Sequence, residues 1–243
     1  MDALLHIGLA VAISTVLSFL AYRLELLTGA GALSSFLIGI IIGTLGSLSW
    51  LLVLVSFTLA GFVVTHIDMA EKARLGLQEG KRGERGHINV LAVGLPPCLL
   101  AAAAFLMGEQ GSVAAAIGYI SIISVAASDT VASELGMKYE KVWLITSFKR
   151  VPPGTDGGIS VMGTFWALIG AVAASLLGWI IIFPHNILSP LLLIPILAGF
   201  VGCLVDSLLG ATLEAWGYLN KYSNNAVSMI IGGLLGAGIY FLL

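Results

Sequence analysis

The chain has 243 residues, of which 58% are hydrophobic and only 10% charged, with a mean hydropathy of +1.04. Soluble domains carry about 25% charged residues, so this composition excludes a water-soluble globule. The formal charge of −2 points to no partner by itself, and nucleic acid is not expected.

Eight apolar segments read as helices in chain order, near 4–22, 30–48, 50–67, 88–107, 112–130, 158–183, 187–210 and 225–243. Crossing a bilayer takes about 20 apolar residues as helix. The expected fold is all-α, a polytopic integral membrane bundle of about eight transmembrane helices forming one domain over 1–243. Asp2 and His6 stand at the N-terminus without a basic n-region, so a cleavable signal peptide is not expected. Ser47-Leu48-Ser49 suits a tight hairpin between the second and third spans, and Pro184-His185-Asn186 joins the sixth to the seventh. Gly39 with Gly43, and Gly232 with Gly236, form GxxxG pairs. Such spacing lets helices approach closely within a bundle, and it leaves oligomerisation open. Cys98 and Cys203 each sit in an apolar run and read as small core residues.

Charge orients the bundle. Arg23, then Lys72, Arg74, Lys81, Arg82 and Arg85, then Lys138, Lys141, Lys149 and Arg150, then Lys221 all fall in connections that eight alternating spans place on one side. The other side carries Asp2, His6, Glu109 and His185 and no Lys or Arg. The loops near 68–87, 131–157 and 211–224 are therefore expected to be cytoplasmic, with both termini outside. The Ala-, Gly- and Leu-rich composition suits a prokaryotic plasma membrane.

Asp129 and Asp206 are the most informative residues. Each ends a long apolar run, Ile117–Ala127 and Ile187–Val205, and each is followed by a hydroxyl residue, in Ser128-Asp129-Thr130 and Asp206-Ser207. A carboxylate at the edge of hydrocarbon is costly unless a cation, a partner or a water-filled cavity offsets it. On a helix Thr130 and Glu134 share a face, as do Asp129 and Ser133, while Asp129 and Glu134 diverge by about 140°. Asp206, Gly210 and Glu214 fall roughly on one side of the seventh span, followed by Asn224-Asn225, which also suits a cap for span eight.

Between these acids runs Lys149-Arg150-Val151-Pro152-Pro153-Gly154-Thr155-Asp156-Gly157-Gly158. The prolines stiffen the loop and bar helix before it. The glycines permit close backbone approach, and Thr155 or Asp156 can cap the helix that follows. A helix N-terminus beside Lys149 and Arg150 suits an anion, although no Walker pattern is present. A fourth polar stretch, Arg82 to Asn89, reads either as a positive-inside loop or as a phosphate contact through Arg85 or Asn89. Hard oxygen ligands without a His/Cys cluster favour Mg²⁺. Together these features suggest a metal–phosphate site at a membrane surface.

At these residues the chain resembles a known family. Ser128-Asp129-Thr130-x-Ala132-Ser133-Glu134-x-Gly136, Val151-Pro152-Pro153-Gly154-Thr155-x-Gly157-Gly158, Asp206-Ser207-x-Leu209-Gly210-Ala211-Thr212 and Asn224-Asn225 are similar to the motifs of the integral-membrane family catalogued as domain of unknown function 92. That family includes transmembrane protein 19 and the chloroplast phytyl-phosphate kinase. The likeness runs from about Arg85 to the C-terminus. Near the fourth span the family pattern R-N-x-x-Q-V-x-A-N-G is altered, with Asn89 in place of Gln and Val93 in place of the second Asn.

The resemblance implies a kinase that converts an isoprenoid (phytyl or prenyl) monophosphate to the diphosphate, with CTP or another nucleoside triphosphate as donor. On that reading Asp129 and Asp206 are the expected Mg²⁺ ligands, with Glu134 as a third ligand or a group just behind them, and Lys149 and Arg150 neutralise the donor phosphates. Backbone N–H groups of Gly154–Gly158 cradle one of them. Ser128, Thr130, Ser133, Pro153, Thr155, Asp156, Ser207, Thr212, Glu214, Asn224, Asn225, Arg85 and Asn89 complete the expected nucleotide and phosphate contacts. The expected partners are the lipid monophosphate, the nucleotide and membrane lipids. An isoprenoid alcohol kinase or a CDP-lipid cytidylyltransferase are alternatives at the same kind of site. An ion-coupled transporter that uses Asp129 and Asp206 as its path is an alternative of another class. A purely structural scaffold leaves the one-sided gathering of polar clusters unexplained.

Overall fold

The computed structural model describes residues 3–67, 84–137 and 139–243. Asp2, Lys72, Arg74, Lys81, Arg82 and Lys138, which carry part of the orientation argument, lie outside the described residues. Among the described residues, eight helices are long and apolar enough to cross a membrane. They are α1 (Ala3–Arg23), α2 (Gly29–Ile41), α3 (Leu48–His66), α4 (His87–Leu106), α5 (Val113–Gly136), α6 (Val161–Ile182), α7 (Leu193–Leu209) and α8 (Lys221–Leu242). The wider turns Ile42–Gly46 and Gly210–Glu214 prolong α2 and α7, and a 3₁₀ turn over Pro190–Leu192 leads into α7.

Hydroxyl and amide caps set where several helices begin. Thr28 accepts from Gly31 N, Ser47 from Trp50 N, Ser112 from Ala115 N and Ser160 from Gly163 N, at 3.0–3.1 Å. Asn220 and Ser223 form a capping box at the start of α8. Each cap satisfies an N–H that the first helical turn leaves without a partner.

Helix α5 is the hub, with 83% of its spanning window buried. Its small residues let neighbours close on it. Ser124 Oγ donates to Ala171 O at 3.1 Å, Ser128 Oγ donates to Ala167 O at 2.7 Å, and Ser175 Oγ donates to Ser124 Oγ at 3.0 Å, which ties α6 to α5. Interhelical hydrogen bonds of this kind contribute roughly 0.6 kcal/mol each in membranes. Tyr119 stacks on Trp50 with ring centroids 4.3 Å apart and donates to the Trp50 carbonyl at 2.7 Å, joining α3 to the same hub. The GxxxG glycines pack inside the bundle. A Cβ at Gly39 would lie 3.0 Å from Ser14 Cβ and one at Gly43 2.7 Å from Ala10 Cβ, so both abut α1. Gly232 and Gly236 abut Val125 and Ser121 of α5 in the same way.

Three details depart from the sequence reading. The fifth span runs to Gly136 instead of 130, because Val131, Ala132 and Leu135 continue the helix beyond the apolar stretch. Asp129 therefore stands inside α5 and not at its end. The eighth span begins at Lys221 instead of 225, so its cap is Asn220 and not Asn224-Asn225. The connection from α5 to α6 also folds into a small antiparallel sheet of β1 (Val142–Leu144), β2 (Arg150–Val151) and β3 (Gly158–Ile159), in the order β2-β1-β3.

Candidate active site

A cavity of about 370 Å³ opens where α5 and α7 end and α6 and α8 begin. Helix α5 contributes Asp129, Ala132, Ser133 and Gly136, which recur at helical spacing along one face. From α7 and its wide final turn come Cys203, Leu204, Asp206, Ser207, Gly210 and Glu214. The turn holds an extra residue, with Ala215 N donating to Gly210 O at 3.3 Å, and Glu214 stays on the face of Asp206. Wide turns of this kind often occur at functional sites. Helix α6 adds Ser160, Gly163, Thr164 and Ala167, while α8 adds Lys221, Asn224 and Asn225.

The loop from Pro153 to Ile159 forms the remaining wall. Gly154 and Gly157 have φ of +81° and +74°, which favours glycine. A Cβ at Gly157 would lie 2.7 Å from Ala211 Cα, and one at Gly210 would lie 2.9 Å from Gly157 N. These two glycines let the loop rest directly on the end of α7. Thr155 does not cap α6: its Oγ1 donates to Pro152 O at 2.7 Å, and Ser160 holds the cap position. Gly158 N–H donates to Thr155 O at 2.9 Å, so it is engaged inside the turn.

Asp129 and Asp206 also line a second void of about 20 Å³ behind the cavity, with Thr130, Asn225 and Ser228 and the apolar Val93, Val125, Ala126 and Met229. A space of that size holds about one water. Ser228 Oγ donates to Asp206 Oδ1 at 2.9 Å. Asn224 is 3% exposed, and its Nδ2 donates to the Asp206 backbone carbonyl at 3.1 Å. That bond fixes the amide orientation and turns Oδ1 into an acceptor that has no hydrogen-bond partner among the described residues. A buried acceptor in that state calls for a donor or a cation.

Most of the expected residues converge here: Asp129, Asp206, Ser133, Pro153 to Gly158, Ser207, Glu214, Asn224 and Asn225 line the cavity, and Thr130 lines the inner void. The structure does not bring Glu134 to the cavity with them, as its divergence of about 140° from Asp129 on a helix requires. Ser128 is fully buried and engaged with Ala167 O, and Thr212 Oγ1 donates to Leu208 O at 2.7 Å within its own helix. Lys149 and Arg150 are exposed at the start of β2, and neither lines the cavity. Arg85 and Asn89 do not line it either. Arg85 Nη2 donates to Thr65 Oγ1 at 3.1 Å, its guanidinium lies 5.5 Å from the Phe62 ring, and its backbone bridges Leu27.

Lys221 was not among the expected site residues. It is the one basic side chain lining the cavity among the described residues. Its sequence signal is position: it opens α8 one turn before Asn224-Asn225. Ser160 and Ser228 were missed because a cap and a buried hydroxyl look alike in sequence.

Fold and site define an integral membrane helix bundle with an acid-lined, loop-covered cavity at one end. Residues 12–233 match the family described as Integral membrane protein DUF92, and the chain belongs to that family. It is 35% identical over 241 residues to an uncharacterized membrane protein of Methanocaldococcus jannaschii, covering 99% of this chain and 97% of the relative. A second uncharacterized membrane protein, from Synechocystis sp., is 35% identical over 221 residues, covering 88% and 83%. Protein VTE6, chloroplastic, of Arabidopsis thaliana is 31% identical over 216 residues, covering 86% of this chain and 64% of that protein. No solved structure matches the chain.

Proposed function

We propose that the protein is an isoprenoid-monophosphate kinase that uses CTP or another nucleoside triphosphate with Mg²⁺. It works at the cytoplasmic face of a prokaryotic plasma membrane, with both termini outside. The observation that carries the reading is the joint lining of one cavity by Asp129, Asp206, the 153–159 loop and Lys221, among spans otherwise apolar. The likeness to a family that includes the chloroplast phytyl-phosphate kinase supplies the acceptor class.

The donor set fits the metal. Asp129, Asp206 and the Asn224 amide offer hard oxygens along one cavity, and no group of three His, Cys, Asp or Glu placed to hold a metal ion occurs among the described residues, so water and phosphate oxygens would have to complete the shell. Mg²⁺ typically takes one or two carboxylates and completes its shell with water and substrate phosphate. Bound there, it neutralises charge on the phosphoryl group being transferred. Lys221 adds a positive charge on the α8 side. The loop seated on α7 holds the donor phosphates and limits water.

An oxygen of the acceptor phosphate attacks the terminal phosphorus of the donor. The bond from that phosphorus to its bridging oxygen breaks, and the nucleoside diphosphate leaves with the electron pair. The acceptor phosphate is already anionic near neutral pH, so no strong base is required. Alignment and electrostatics then supply the rate.

The test is phosphate transfer by the purified protein in detergent, with Mg²⁺, γ-labelled CTP or ATP, and phytyl or geranylgeranyl monophosphate. Label in the lipid diphosphate, absent with Asp129→Ala, is the expected result. Release of pyrophosphate with formation of a CDP-lipid indicates the cytidylyltransferase instead. No transfer by folded protein from any nucleotide overturns the kinase reading.

A further inference from the structure

We infer that the chain of the lipid phosphate leaves the cavity sideways into the bilayer, between α6 and α7. Its slot lies beside Thr164 on α6 and Leu204 and Ser207 on α7, half-buried residues of the cavity lining. This rests on reading the cavity as a lipid-phosphate site, and it names the path that site leaves open.

Glycines set α6 and α7 side by side on α5. A Cβ at Gly170 of α6 would lie 2.8 Å from Ala127 O, and one at Gly136 of α5 would lie 2.8 Å from Gly163 Cα. On α7, a Cβ at Gly199 would lie 3.1 Å from the Ser124 carbonyl carbon and one at Gly202 3.2 Å from Val125 Cγ1. Both helices therefore sit close on the same hub, and Asp129 of that hub lines the cavity between them.

The other directions are closed or chemically wrong. Gly157 resting on Ala211 covers the loop side. The α8 side presents Lys221, Asn224 and Asn225, all polar. The inner void holds only about 20 Å³. A cavity of about 370 Å³ does not enclose a whole prenyl chain together with two sets of phosphates. Next to the slot, Phe165, Leu168, Val201 and Leu208 are exposed on the outer faces of α6 and α7, at positions suited to lipid.

One consequence is specific. Hydrocarbon is as favourable an environment as an apolar side chain, so the part of the chain beyond the slot gains little by binding protein. Selectivity is confined to the first isoprene units, and further chain length changes transfer little.

Two experiments test the slot. In the first, Thr164→Phe and, separately, Leu204→Trp narrow it. Each is expected to lower the ratio of transfer to geranylgeranyl over dimethylallyl monophosphate by about tenfold or more. An unchanged ratio in both folded variants contradicts the slot.

The second uses a farnesyl monophosphate analogue with a diazirine near its phosphate, photolysed on the wild-type protein in nanodiscs without nucleotide. Label on 161–168 and 201–208, competed by unlabelled lipid monophosphate, is the expected result. Label on the apolar crevice between α1 and α2 (Thr15, Phe19, Phe36), label on α8, or no competed label on folded protein overturns the path. Because this readout needs no turnover, competed slot labelling without transfer defeats the kinase reading alone. Transfer with label elsewhere defeats the slot alone.

Discussion

Two polar clusters of this bundle contrast in what their side chains touch. Around Arg85 the polar groups meet protein: the guanidinium reaches Thr65 and Phe62, Arg85 N donates to Leu26 O at 3.0 Å, and Thr28 N donates to Arg85 O at 3.2 Å. Around Asp129 and Asp206 the polar groups border a cavity: both aspartates line it, Ser228 Oγ donates to Asp206 Oδ1, and the buried Asn224 Oδ1 has no hydrogen-bond partner among the described residues. In sequence both look like charged residues at the edge of an apolar span. The first fastens the start of α2 and the end of α3 to the start of α4. The second lines a cavity of about 370 Å³.

Substitutions can break that contrast. The largest expected effect is Asp206→Asn or Asp129→Asn, near-isosteric changes that should lower phosphate transfer by at least about 100-fold, the scale of losing a preorganised electrostatic contact. Near-native melting of both variants would confirm that the loss is chemical. Gly157→Ala comes next. It adds a Cβ against Ala211 at a residue with φ +74°, so the loop must shift. Transfer should fall about 10- to 100-fold, with about 1–3 kcal/mol of strain visible in thermal unfolding.

Lys221→Met should lower kcat/KM for the nucleotide by about tenfold, through loss of a charged phosphate contact. Added salt should lower the wild-type value more than the variant's. Lys149→Gln with Arg150→Gln should change the same constant less than about threefold, because exposed charges are screened. A larger loss places the donor phosphates beside the sheet instead of beside Lys221. The smallest effect on turnover is expected from Arg85→Gln, which should leave activity per folded molecule within about twofold. The same change should lower stability by about 1–2 kcal/mol through the lost hydrogen bond and ring contact, read as a shift in denaturation midpoint.

Hydropathy made the eight spans legible, and helix geometry made much of the site legible. Asp129 with Ser133, and Asp206 with Gly210 and Glu214, line one cavity as their spacing on a helix requires. That geometry also turns Glu134 away from Asp129, and Glu134 is absent from the cavity lining. The end of α5 was misjudged because an apolar boundary is not a helix boundary: Val131 to Leu135 continue the helix around polar residues that face a cavity. Strands of two or three residues such as Arg150–Val151 are too short to show a period, so the sheet beside which Lys149 and Arg150 stay off the cavity lining is not legible in sequence. Lys221 joins the site through the packing of α8, and no local pattern announces it.

The most direct test is a side-by-side transfer assay of wild type, Asp129→Asn and Arg85→Gln in detergent with Mg²⁺, labelled nucleotide and lipid monophosphate. The account predicts lipid diphosphate from wild type and Arg85→Gln and almost none from Asp129→Asn. Equal loss in Arg85→Gln and Asp129→Asn, with all three proteins folded, would contradict it by showing that the two clusters are not separate in function.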